Sequence, residues 1–252
     1  MMCQLCLQEK ILLKNSHIIP NFLYKGLFGD KHKIVSVNLD DYNDKKFHQT
    51  GFKDKDILCA DCDNGIIGKY ERYASNTIFG DHKNLDIEIY NGDNIVVPYI
   101  RFKKLDYHQI KLFFLSILWK SHLSTNAFFK EIDLGKKYSE QIRQMLLNRD
   151  GGPEDCFEVV LVKPETKTRI VKSMVAPRRL KDHGNTTYIF HINEIMYHFN
   201  ISNHNKMSMF NASIIKKDGI MDIAIVNGEF ASGYFDSYIG KKIEVNQKNE
   251  QK

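Results

Sequence analysis

No apolar run in this chain is long enough to span a bilayer, and the opening Met1-Met2-Cys3 leaves no room for a leader peptide. The expectation is a cytoplasmic protein with no membrane association. Internal repeats are lacking, and so is any glycine loop of the kind that cradles phosphates, which sets aside solenoids and P-loop chemistry. A strong excess of charge is also lacking. The 36 Lys and Arg against 31 Asp and Glu leave +5, which permits a nucleic-acid partner without demanding one. Cysteine is scarce, with five in 252 residues. In a reducing compartment such cysteines are better read as ligands than as disulfides.

Four of the five cysteines form two C-x2-C pairs, Cys3-Gln4-Leu5-Cys6 and Cys59-Ala60-Asp61-Cys62. Each pair puts two thiolates on one tight turn, and two pairs supply the four-sulfur tetrahedron that zinc favours in structural sites. Cys156 stands apart, beside Phe157 and Val159, and reads as a core or strand-edge residue.

In chain order, Leu5 and Leu7 are expected to turn into a small core beneath the first knuckle, and 8–15 to return as a short strand or hairpin. Ser16-His17-Ile18-Ile19 follows, closed by Pro20, which cannot continue a ladder. Residues 21–25 predict a helical turn and 34–37 a strand within a polar insertion. After the second knuckle Asp63 is a plausible N-cap, and Ile66, Ile67, Tyr70, Tyr73, Ala74 and Ile78 share a broad apolar helix face. A zinc knuckle running directly into a helix is the treble-clef arrangement.

The order Cys-x2-Cys, Ser-His-Ile-Ile-Pro, Leu-Cys-x2-Cys and helix resembles the HNH endonucleases, the ββα-metal nucleases, over residues 3–75. The resemblance implies that His17 is the general base that draws a proton from the water attacking phosphorus. An imidazole titrating near neutrality suits that task. Two positions depart from the family pattern. Ser16 stands where an aspartate or histidine ligates the catalytic metal, and Asp63 stands where a last histidine follows the second knuckle. A carboxylate suits Mg2+ or Mn2+, so Asp63, with Asn64 beside it, is the expected holder of a catalytic divalent ion.

Asp54 occupies roughly the place of the family's base-orienting asparagine, with His48 and Gln49 as nearby alternatives. On an α-helix Asn64 and Glu71 return to one face, but roughly 10 Å apart, too far for two direct ligands of one ion. Glu71 is therefore expected either to support the metal site or to pair with an early arginine or lysine.

Beyond residue 80 the patterns predict a hairpin over 84–90 and 95–98, and a helix over 105–123 apolar nearly all round, with His108 and His122 on its flanks. A second helix is expected over 136–147, and strands over 157–162, 187–192, 213–215 and 221–226. Lys163, Lys167, Arg169, Lys172, Arg178, Arg179 and Lys181 form a basic cluster with only Glu165 among them. That cluster reads equally as a phosphate-backbone face or as a solvated hairpin. Residues after about 241 read as a frayed polar tail.

The fold expectation is α+β: a treble-clef four-cysteine zinc module of HNH type over 1–80 and an α+β unit with a largely antiparallel sheet over 81–252. The resemblance implies a metal-dependent endonuclease acting on DNA, with RNA as an open alternative. Together with the Lys-, Asn- and Ile-rich composition, it suggests a setting in bacterial defence and a regulatory protein partner. The reading from another class is a catalytically inactive zinc module that binds nucleic acid or protein.

Overall fold

The computed structural model describes residues 1–28, 34–37, 45–80, 86–91, 95, 97–164, 173–182, 185–201 and 213–226. In the N-terminal third lie β1 (Ser16–His17), β2 (Ile34–Val37), β3 (Lys45–His48), β4 (Lys53–Asp54) and α1 (Gly68–Asn76). Then come β5 (Asp86–Tyr90), β6 (Tyr99–Lys103), α2 (Tyr107–Leu123) and α3 (Gly135–Asn148). The remainder supplies β7 (Glu158–Pro164), β8 (Ser173–Asp182), β9 (Asn185–Asn193), β10 (Ile195–Ile201) and β11 (Met221–Val226). Among the described residues nine strands form one sheet in the order β3-β2-β8-β9-β10-β7-β11-β6-β5. Only β2 with β8 and β7 with β11 run parallel; the other neighbours are antiparallel. The protein is therefore mixed α and β with a large, largely antiparallel sheet.

Helix α2 explains its own composition. Asp106 caps it, accepting from the Gln109 N–H at 3.0 Å. Its apolar residues are not confined to a stripe because two bodies cover it. Phe113 stacks on Phe22 at 5.7 Å between ring centroids, while the adjacent Phe114 meets Tyr197 of β10 at 5.7 Å. One side thus faces the N-terminal third and another the sheet, so a helix apolar all round is what this position requires.

The boundary expected at residue 80 does not divide the packing. Strands β2 and β3 from the N-terminal insertion extend the large sheet through β8. One continuous core runs from Cys3 to Ile223. Further ties come from α3: Arg143 donates to the Leu5 carbonyl at 2.6 Å, and the Leu146 carbonyl accepts from the Tyr70 hydroxyl at 2.8 Å.

Other expectations are corrected in detail. The hairpin after β5 returns at Tyr99–Lys103, later than 95–98. Residues 213–215 contribute an isolated bridge between Ile214 and Val160 in place of a strand. Within 8–15 the pairing is likewise reduced to single bridges, Met2 with Glu9 and Leu12 with Cys59. Leu7 has φ of 55° and is half-exposed, so it turns away from the knuckle core that Leu5 enters. The polar tail after 241 lies outside the described residues.

Two histidines are buried in the middle of the sheet, His191 on β9 and His198 on β10. Burial lowers their pKa values from 6.5 to about 4 and about 3. Below pH 6.5 the unfolded chain therefore binds two protons that the folded chain refuses. Stability is full above that pH and falls as acid is added toward the folded values. Between pH 7.5 and 5.5 the loss is expected to be about 3 kcal/mol for the pair. Urea unfolding at the two pH values checks this, and His198→Gln should flatten the dependence. An unchanged midpoint in the native chain would refute it.

Candidate functional site

The two knuckles are brought together by backbone pairing. The Gln4 N–H donates to the Ile57 carbonyl at 3.0 Å, and Leu13 to the Leu58 carbonyl at 2.9 Å. The ligand atoms of Cys3, Cys6, Cys59 and Cys62 consequently all lie within 4.8 Å of one another. Thiolates around a tetrahedral zinc stand about 3.8 Å apart, so four sulfurs at this spacing are placed to hold a metal ion and are compatible with structural zinc. Cys3, Cys59 and Cys62 are buried, and the Cys59 N–H donates to the Cys3 Sγ at 3.3 Å. Burial alone would raise the Cys3 thiol, but hydrogen bonds from the backbone of Cys6, Cys59 and Leu5 bring it down to about 7. Burial and the neighbouring sulfurs push Cys62 the other way. Metal binding at such a cluster would release the thiol protons.

Immediately after the second knuckle the chain makes a π-helical stretch, Asp61–Ile67, that continues into α1. Asp63 is thus inside a helix and not its N-cap; Ala60 holds that position and caps nothing with its side chain. The Asp63 carboxylate instead accepts from the Ser16 hydroxyl at 2.7 Å. Ser16 is fully buried and pairs with Asp54 across the β1/β4 ribbon, while His17 pairs with Lys53. Ser16 thus reaches inward to Asp63, and the next residue, His17, is half-buried.

His17, Asn21, Asp63, Asn64, Glu71 and Arg72 all line one cleft of about 420 Å³. Asn64 and Glu71 therefore do share a face, although the first turns between them are π and not α. His17 is driven below its usual pKa first by burial, then by the charges of Lys53 and Lys120. Both effects favour the neutral imidazole.

Glu71 pairs with Lys120 of α2 at 2.8 Å, a partner from mid-chain and not an early cation. Asp54 does not orient His17. Its carboxylate closes the end of α2, accepting from the Thr125 N–H at 2.7 Å and the Ser124 hydroxyl at 2.9 Å. Burial raises its pKa, but these bonds outweigh that and lower it. Gln49 is exposed, and the His48 side chain lies outside the described residues.

The described members of the basic cluster lie on β7 and β8. Lys163 pairs with Glu194 at 3.3 Å and Arg178 with Glu131 at 2.6 Å. Lys181 bonds Thr186 at 2.8 Å, and Arg179 is exposed. Lys167, Arg169 and Lys172 lie outside the described residues. His108 and His122 accept from the Gly151 and Leu134 N–H groups, as flank residues do. Cys156 is partly buried, and burial raises its thiol.

Sequence reasoning missed Asn21, Arg72, Lys53 and Lys120. The signals were present for two of them: Asn21 directly follows the Ser-His-Ile-Ile-Pro motif, and Lys120 is one of two lysines within a largely apolar helix. Compared with models of protein families, with curated proteins and with solved structures, the chain matches none. No helix among the described residues is long and apolar enough to cross a membrane.

Proposed function

We propose that this protein is an HNH-type, metal-dependent endonuclease that hydrolyses DNA phosphodiester bonds, built on a treble-clef zinc module. The observation that carries the reading is the convergence of His17 and Asp63 on one cleft, directly beside the four-thiol cluster. In this reading His17 takes the proton of the attacking water, a step open to a neutral imidazole. Asp63 and Asn64 would hold Mg2+ or Mn2+. One Asp63 oxygen takes the Ser16 hydrogen bond and the other stays available, a donor set of the oxygen type these ions prefer. When bound, the ion supplies positive charge for the phosphorane and the leaving oxygen. Ser16 fixes the carboxylate's direction. The zinc, with all four positions filled by sulfur, is structural.

The second reading, a non-catalytic module for nucleic acid or protein, is favoured by one observation. Ser16, at the family's ligand position, is committed to Asp63. Plasmid cleavage with Mg2+, Mn2+ or EDTA separates the two. The nuclease reading expects metal-dependent nicking that falls by at least about 10²-fold in His17→Ala, with zinc content kept. Intact plasmid under every condition, from protein carrying its zinc, decides for the module.

A further inference from the structure

We propose that Lys53 and Arg72, one paired with His17 across the ribbon and one lining its cleft, grip the nucleic-acid backbone, so that binding and cleavage share one site. This deepens the nuclease reading and rests on it. Lys53 is the direct cross-strand neighbour of His17, so both side chains rise from the same face of the β1/β4 ribbon. Arg72 lines the cleft itself and is exposed. Its guanidinium lies over the start of α1, where a methyl added at Gly68 would stand 3.4 Å from Nη1.

What distinguishes these two cations is an uncompensated charge placed beside His17. Among the described residues neither is ion-paired. The neighbouring cation, Lys120, is neutralised by Glu71 at 2.8 Å. In the basic cluster downstream, by contrast, Lys163 and Arg178 already have carboxylate partners. A phosphodiester entering the cleft therefore meets a planar fork suited to two phosphate oxygens and a point charge beside the base.

The test measures binding apart from cleavage. A labelled duplex oligonucleotide is titrated with His17→Ala protein at several salt concentrations, with Lys53→Gln or Arg72→Gln added. Each addition should weaken binding about tenfold and lower the slope of log affinity against log salt by about one. Lys53→Arg and Arg72→Lys should restore the slope, and Lys136→Gln on α3 should leave both quantities unchanged. Unchanged affinity and slope in both glutamine variants, no binding at all, or an equal effect of Lys136→Gln would each overturn the proposal. The nuclease reading is judged separately, by cleavage in wild type against His17→Ala. A protein that cleaves but shows no change in the glutamine variants loses this proposal and keeps that reading.

Discussion

Replacing Cys62 with serine is expected to release the metal and lower the melting temperature by about 10–20 °C. Residues 1–13 have few apolar anchors of their own: Cys3, Leu5 and Leu12 are buried, while Met1, Met2, Leu7 and Ile11 are exposed. Backbone bonds to Ile57 and Leu58 and the Arg143 bond to Leu5 hold this ribbon, and the metal would cross-link it to the start of the helix. Structural zinc contributes about 10–16 kcal/mol in small zinc modules at neutral pH. If only about 5 kcal/mol of that reaches global stability, a chain of this size shifts by the range stated. The exposed Lys10–Asp61 pair, which bridges the same two segments, cannot substitute for it. Elemental analysis and thermal melts with and without chelator check the expectation. One metal per chain and an unchanged melt in Cys62→Ser would end the four-thiolate assignment.

The second large effect is an asymmetry. Glu71→Ala should destabilise the protein by about 3–5 kcal/mol, whereas Lys120→Met should cost about 2 kcal/mol less, or nothing. The reason is where each charge sits. The Lys120 side chain is 1% exposed and that of Glu71 26%. Removing Glu71 strands an ammonium inside the packing between α1 and α2. Removing Lys120 leaves a carboxylate that already reaches the cleft, and methionine fills the lysine's space in a largely apolar helix. The double variant should recover most of the loss seen in Glu71→Ala. Urea midpoints of the three variants decide it, and equal costs for the two single substitutions would contradict the argument.

The contrast between what the sequence revealed and what it concealed follows from the range of the interactions. The sulfur cluster was legible because C-x2-C is a local turn whose ligands need only one partner turn of the same kind. His17, Asp63 and Asn64 were singled out only through the resemblance, which tied them to two local landmarks, Pro20 and Cys62. Helix α2 was legible because burial on two sides leaves a long apolar run.

Strands β8 and β10 escaped notice. Pro177 interrupts β8 at a bulge between Val175 and Arg178, where a missing N–H is tolerated. In β10, His198 and Asn200 sit at buried positions, which breaks any apolar alternation.

By itself the sequence determined two C-x2-C turns, four thiols placed to hold a metal; that His17 and Asp63 line one cleft came from the fold. The assignment of charges was decided by the fold. Glu71 found Lys120 at 2.8 Å and Asp54 found Ser124 and Thr125, partners supplied by α2 and the turn after it. The same packing left Lys53 and Arg72 without an ion-pair partner among the described residues. Electrostatic partners are chosen by distance in space, and no spacing along the chain records it.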